Sequence, residues 1–468
     1  MQVISRLPEP LPRPKDKTEP KREQQQTQHN KVVDLKRALE TEPPQPWETV
    51  NSTIHFRNDD TQYWWDRTGR MFAKLIQRAG YSAAEQYREL IFYALFVAPE
   101  LGRAPDAQGN VRGWRSPGTP DSTPIDFSWE WGPGNSGTVR YSFECIGPHA
   151  GTELDPLNSF ATDAWIQKLR DQGMVPGLDL EWYDHFTRAI LPSRDMQRDK
   201  TADVFIEETT PKAGVVVALD IEKGGPVMKM YIYPGLKALE LGISNLQLVQ
   251  QSIRGLPEAQ YRSLVGCDAL LKYLDEGTAR WGFETGILSI DCLEPARARV
   301  KVYVRARHTS LEYMMDCLTL GGRLDMDGNE QALEDLKDFW QAFLRDAPDQ
   351  LPEDAPGRAS PGFYYTLGAG KPVSAKMYVS PTYFCKSDTE VLGRLRGYFA
   401  TRRSDLQMDN YEAALGDIFG KKTLDDRCGS HYYVGCALAK NQLRVVTYLS
   451  PQSFDCEKDL IRERALTK

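Results

Sequence analysis

A short tyrosine-bearing strand pattern recurs along this chain and constrains its fold more than any other feature. "MKMYIYP" at 228, "VKVYVRA" at 300, "AKMYVSP" at 375 and "VVTYLSP" at 445 align on Tyr231, Tyr303, Tyr378 and Tyr448, at spacings of 72, 75 and 70 residues. "TVRYSFE" at 138 is a weaker fifth relative and carries Arg140. Successive strand side chains point to opposite faces. Lys229, Tyr231 and Tyr233 therefore share one face, and Met228, Met230 and Ile232 the other. Recurrence at a near-constant interval is the mark of a repeated supersecondary unit.

Each of these strands follows another short β-like run and a turn containing or flanked by Gly, Pro or Asn, as in "GVVVALDIEKGGPVMKMYIYP" and "GFYYTLGAGKPVSAKMYVSP". That punctuation predicts five hairpins. Between them lie stretches with apolar residues three and four apart, such as "SAAEQYRELIFYALF" and "QALEDLKDFWQAFLRD". Each stretch reads as two helices separated by a Gly or Pro break. The unit is helix–helix–strand–strand, five times over. With 41% hydrophobic residues the chain has ample material for a large core. Ten antiparallel strands with apolar outer faces and polar inner faces predict a closed barrel, which leaves no free edge and room for a ligand. The expected fold is α+β, a ten-stranded antiparallel β-barrel ringed by about ten α-helices. Residues 1–45, rich in Pro, Gln and Lys, read as a mobile arm, and 46–468 as a single barrel domain.

The expected inner face collects Asp126, Ser128 and Arg140; Lys229, Tyr231 and Tyr233; Arg299, Lys301, Tyr303 and Arg305; Lys376 and Tyr378; Arg444 and Tyr448. Every hairpin brings a cation. Buried cations without partners repel one another, and each costs several kcal/mol in desolvation. Such a cluster makes sense when an anion arrives. A diphosphate suits it, because its oxygens match forked Arg and point-charge Lys donors. Tyrosine faces stabilise a cation by about 0.5–2 kcal/mol each. Together these groups predict a site that ionises an allylic diphosphate and shelters the carbocation. A single K-x-Y strand is more often an exposed sheet face with a gatekeeper lysine, but four in-phase tyrosines, three of them behind a lysine, tip the balance. Neither Asp59-Asp60 nor Asp425-Asp426 sits in a D-D-x-x-D magnesium cluster. The lysines and arginines would then supply the charge neutralisation, with no metal.

These residues resemble the fungal aromatic (indole) prenyltransferases of the dimethylallyltryptophan synthase family. The resemblance rests on "TPIDFSWEW", "VRYSFE", "PGLDLEWYDHF", "ALDIEKG", "MKMYIYPGLKA", "DCLEPARARVKVYVRARHTSLE" and "AKMYVSP", and spans nearly everything after residue 45. It implies a barrel of five repeats, the architecture reached above from pattern alone. It implies that Arg140, Lys229, Arg299, Lys301 and Lys376 bind the diphosphate of dimethylallyl diphosphate. Tyr231, Tyr303, Tyr378 and Tyr448 would shield the dimethylallyl cation. Arg444 stands where the family often has another tyrosine, which leaves the shield one ring short or the phosphate grip one cation richer. Asp126 occupies the place of a glutamate that accepts the indole N–H, and a carboxylate suits that role because it stabilises charge developing on the ring nitrogen. Positions where free-tryptophan members carry cationic pocket residues fall on Val216 and Gly286, and a bulky apolar pair falls on Pro117 and Gly118. With Tyr233 these outline a roomy acceptor pocket for an indole in a neutral scaffold, such as a tryptophan-containing cyclic dipeptide. Prenylation of free tryptophan or of a phenol, and a non-catalytic isoprenoid-diphosphate-binding barrel, remain the alternatives.

The expected partners are dimethylallyl diphosphate and an indole acceptor, with no cofactor; a homodimer is left open. The net charge of −7 argues against a nucleic-acid or membrane-surface binder. Eight scattered cysteines without a C-x-x-C pair suit reduced thiols in the cytoplasm, and no apolar run reaches membrane-spanning length. "GAGKP" at 368 lacks phosphate-loop spacing and reads as a hairpin turn, and the six histidines show no metal-ligand spacing.

Overall fold

The computed structural model describes residues 45–131, 137–193, 212–222, 225–353, 355, 357–402, 405–439 and 441–454. The expected arm, residues 1–45, lies outside them save for Gln45. Ten strands form one closed antiparallel barrel: β1 (Ile125–Trp131), β2 (Gly137–Phe143), β3 (Val215–Glu222), β4 (Gly225–Ile232), β5 (Glu284–Asp291), β6 (Arg299–Arg305), β7 (Gly362–Gly368), β8 (Lys371–Val379), β9 (His431–Ala439) and β10 (Gln442–Leu449). Neighbours in sequence are neighbours in the sheet, and β10 returns to pair with β1, Ser128 opposite Tyr448. The five expected hairpins are all present. They bring the β1–β2, β3–β4, β5–β6, β7–β8 and β9–β10 connections to one rim, and the helical segments leave from the other.

Alternation sorts the side chains. On β4, Met228, Met230 and Ile232 are fully buried against the helices while Lys229 and Tyr231 point inward. Phe127, Trp129 and Trp131 do the same for β1. Phe127 stacks 6.0 Å from Phe72, and Trp131 lies 4.5 Å from Phe399. Burying such rings supplies about 1.5–3 kcal/mol each, so a one-residue slip in register would lose the whole outer core and expose the lumen's charges to it. The barrel's orientation is thereby fixed by its apolar face.

The helices depart from ten simple rods. The stretch "AQYRSLVGCDALLKYLDEG" divides into Glu258–Ser263 and Cys267–Trp281, because Gly266 takes φ +79° and a Cβ there would sit 2.9 Å from Val373. Short helices Pro46–Thr53, Gly235–Leu241 and Lys421–Asp426 are added. No described helix is long and apolar enough to cross a membrane.

Candidate active site

Each even-numbered strand from β4 onward presents its cation on the turn side and its tyrosine two to four residues later, toward the helix side. The barrel therefore has a charged end and an aromatic end. At the charged end the expected cations come together, but they are not unpartnered. Arg140 bridges Glu130 at 2.5 Å and Asp220 at 3.1 Å; Lys229 also pairs with Asp220. Asp291 holds Arg299 at 2.5 Å and Lys301 at 2.8 Å. Arg444 reaches Glu130 at 3.1 Å. The expectation of lone cations is corrected: three carboxylates already compensate part of the charge, which is what allows the cluster to be buried. They were legible in phase, because Glu130 alternates with Asp126 and Ser128, and Asp291 lies opposite Lys229.

Burial would raise Asp220 and Asp291, yet their cations prevail: Lys229 and Arg140 hold Asp220 below the usual range, and Lys301 and Arg299 bring Asp291 down to about 2. For Lys301 burial prevails over Asp291 and lowers the amine to about 8. Lys376 is lowered by burial to about 7, with Glu130 opposing. Its Nζ bonds the Tyr448 hydroxyl at 2.9 Å and lies 5.2, 5.3 and 6.0 Å from the rings of Tyr378, Tyr448 and Tyr364. Lys376 thus stands where the charged layer meets the aromatic one.

The aromatic layer is wider than expected. Tyr231 and Tyr303 meet at 5.9 Å, Tyr303 and Tyr378 at 6.4 Å, and Tyr378 and Tyr448 at 5.4 Å. Tyr364 inserts 4.9 Å from Tyr303, and Tyr433 packs 5.9 Å from Tyr378. Arg444 consequently does not leave a gap among the rings; it belongs to the Glu130 side. Sequence reasoning missed Tyr364 and Tyr433 because "GFYYTLG" and "HYYVG" each offer adjacent tyrosines and no phase marker. The hydroxyls of Tyr231, Tyr303, Tyr378 and Tyr448 are pushed upward by burial, so these rings remain neutral.

Asp126 lies at the helix-side end, 7% exposed. Burial raises its carboxyl to about 6, while the Tyr432 hydroxyl and Ser142 hold back the rise. Tyr432 donates to Oδ2, and the Ser142 backbone N–H donates to Oδ1 at 3.3 Å. Tyr233 lies one residue past β4 and is under the electrostatic influence of Arg358, Glu144 and Asp126. Arg358 donates to the Pro117 carbonyl at 2.7 Å, and the Gly118 N–H bonds Ser116 Oγ at 3.3 Å. Arg358 thus ties the Pro117 carbonyl to the surroundings of Tyr233, whose own electrostatics include Asp126. Val216 faces the lumen opposite Tyr231, and Gly286 is the extra residue of a β5 bulge with open space beside it. Among the described residues, no group of three or more His, Cys, Asp or Glu side chains could hold a metal.

The family model for tryptophan dimethylallyltransferase matches residues 60–414. This chain belongs to that family. A 4-O-dimethylallyl-L-tyrosine synthase from Claviceps purpurea (strain 20.1) is 31% identical over 401 residues, which are 83% of this chain and 88% of that protein. Tryptophan dimethylallyltransferase 1 from Epichloe coenophiala is 31% identical, covering 88% of this chain and 93% of the relative. Among solved structures, NotF in complex with brevianamide F and DMSPP superposes with a TM-score of 0.74 at 20% identity, over 88% of this chain and 99% of that one. The fold is that of the aromatic prenyltransferase barrels, and the protein is a prenyltransferase that moves a dimethylallyl group to an aromatic acceptor.

Proposed function

We propose that this prenyltransferase transfers the dimethylallyl group of dimethylallyl diphosphate to the indole of a tryptophan-derived acceptor, without a metal. The observation that carries the reading is the layered lumen. Arg140, Lys229, Arg299, Lys301, Lys376 and Arg444 face Glu130, Asp220 and Asp291, a surplus of three positive charges when both depressed lysines are protonated. A diphosphate ester carries about three negative charges, so it completes the balance. Heterolysis of the carbon–oxygen bond leaves the electron pair on the diphosphate, where these cations stabilise it. The allyl cation stays in the aromatic layer, flanked by Tyr231, Tyr303, Tyr378 and Tyr448. An indole carbon attacks it, and the proton at that carbon is then lost to restore aromaticity. Asp126 accepts a hydrogen bond from the indole N–H and stabilises the positive charge that attack places on the nitrogen.

The neutral-scaffold reading is supported by Val216 and Gly286, which bring no cation to the pocket, and by Arg358, whose guanidinium is engaged with the Pro117 carbonyl. NotF, which shares the fold, was solved with brevianamide F bound, and that compound is the first acceptor to try. Incubation with dimethylallyl diphosphate and EDTA, across brevianamide F, tryptophan-containing cyclic dipeptides, tryptophan and tyrosine, tests both parts. A product carrying one added five-carbon prenyl group on a cyclic dipeptide is expected. Product on tyrosine alone would move the acceptor class to phenols, and loss of product on chelation would overturn the metal-free reading.

A further inference from the structure

Tyr432 reaches Asp126 against the alternation of its own strand. Tyr433 faces the lumen opposite Tyr448, so Tyr432 should point outward into the helical layer. The β9–β10 ladder breaks here: Tyr448 pairs with Tyr433 and Leu449 with His431, leaving Tyr432 as an extra residue. Such a bulge re-aims one side chain without disturbing the rest of the strand. Its effect is that the Tyr432 hydroxyl donates to Asp126 Oδ2, with its ring 4.9 Å from Tyr433 and 6.2 Å from Tyr448.

The bulge is held from behind. Asp388 begins the helix Asp388–Ala400, and its two oxygens take hydrogen bonds from the residues leading into Tyr432. Oδ1 accepts from the His431 N–H at 2.8 Å and contacts His431 Nδ1 at 2.8 Å; Oδ2 accepts from the Ser430 and Gly429 N–H groups at 2.9 and 3.2 Å. The far ring nitrogen of His431 meets the Tyr411 hydroxyl at 2.8 Å. Asp388, His431 and Tyr411 are all at most 1% exposed. A carboxylate with this many donors in a water-excluded site leaves the backbone at 429–431 one conformation. No mechanism for the transfer reaction itself uses these groups, which lie outside the lumen.

We propose that Tyr432 is a positioning residue for the reaction: delivered by the β9 bulge and anchored through His431 and Asp388, it orients the Asp126 carboxylate and sets the pH above which it serves the acceptor. The inference rests on the reading of Asp126 as the acceptor-facing carboxylate. The groups that interact with Asp126 are Tyr432 from β9, Ser142 from β2, and Tyr231 and Tyr233 from and just after β4, with Glu144, just past β2, acting on the same Tyr233; burial, Tyr432 and Ser142 are what act on its ionisation. The ionised form binds the Tyr432 proton donor better than the neutral form, so removing the donor favours protonation.

Tyr432→Phe keeps the ring and deletes the donor. The acid limb of kcat against pH is expected to move up by about one unit, a fall of roughly fivefold to tenfold in rate near pH 6 that largely disappears above pH 8. The carboxylic acid band of Asp126 in infrared difference spectra, assigned by its loss in Asp126→Asn, should titrate at correspondingly higher pH. Tyr411→Phe, which only loosens the anchor, should shift both in the same direction by less. An unchanged acid limb and an unchanged band in Tyr432→Phe would overturn the proposal, as would a variant that loses thermal stability alone. Shifts in Tyr432→Phe with none in Tyr411→Phe would remove the anchor from it. Should the wild type prenylate no acceptor while the band still moves, the reading of the site fails and the role in the reaction with it, while the hold of Tyr432 on the Asp126 carboxyl stands.

Discussion

The two ends of the lumen solve the same problem, a charge taken out of water, in different ways. At the charged end, six cations meet three carboxylates, and the pairs are assembled by strict alternation on neighbouring strands. At the other end a single carboxylate, Asp126, is held by a tyrosine hydroxyl and a backbone N–H, with no cation among the described residues bonded to it. The first arrangement is redundant and keeps a positive surplus ready for an anion. The second is sparse and leaves its carboxyl close to neutrality in pH. Loss of one group should consequently be partial at the charged end and severe at the other.

The largest expected effect comes from Asp126→Asn, which preserves shape and removes the charge. We expect kcat to fall by about a hundredfold or more at saturating donor, with donor KM little changed. A fall shared equally by donor affinity would erase the distinction between the two ends. Next comes Asp291→Asn, which strips the counter-charge from Lys301 and Arg299. Breaking one side of a buried pair typically costs about 3–5 kcal/mol, so the empty variant should melt well below the wild type. Inorganic diphosphate should restore more of that loss than it adds to the wild type, a comparison read directly by thermal shift.

Tyr303→Leu removes the ring central to the aromatic layer, and kcat should drop by about threefold to thirtyfold, in line with roughly 0.5–2 kcal/mol of lost cation stabilisation. Tyr303→Phe should lose far less, because the π-face remains. The smallest effect is a protonic one. Lys376 and Lys301, at about 7 and 8, carry fewer protons when folded than when unfolded between there and their ordinary 10.5. Their contribution therefore makes the empty protein more stable as pH rises through that window. A bound diphosphate raises both, so binding takes up protons and weakens toward pH 9. Calorimetry of a thiolodiphosphate donor analogue in two buffers of different ionisation enthalpy measures the uptake, which should fall in Lys376→Met.

How much of this was legible in the sequence follows the same division. The charged end obeys period two, so the phases of Lys229, Arg299, Lys301 and Lys376 could be read from strand pattern, and barrel closure followed from five hairpins with one apolar face. The partner carboxylates Glu130, Asp220 and Asp291 obeyed the same phase; attention to cations alone passed over them. Tyr432 is different in kind. Its position depends on a bulge whose cause, Asp388, lies 44 residues upstream on a helix, and no local pattern in "SHYYVG" encodes that contact. The extra residue Gly286 in β5 is likewise invisible to alternation. The break between Ser263 and Cys267 is invisible for a similar reason, since Gly266 interrupts a continuous apolar periodicity where the chain must approach Val373 closely.

The pairing of β1 with β10 has a consequence for how the protein comes into being. Ser128 and Tyr448 are neighbours in the finished sheet but stand 320 residues apart in sequence. Contacts of such sequence separation form late, because the loop they close is most of the domain. While the chain is being synthesised, β1 must wait as an unpaired edge until the last hairpin emerges. Its Trp129 and Trp131, whose partners Tyr411 and Phe399 come late in the chain, make that waiting strand a target for aggregation or for chaperone capture. A lesion in the final hairpin should accordingly show itself first as poor yield of folded protein, before any change in the chemistry of the molecules that do close.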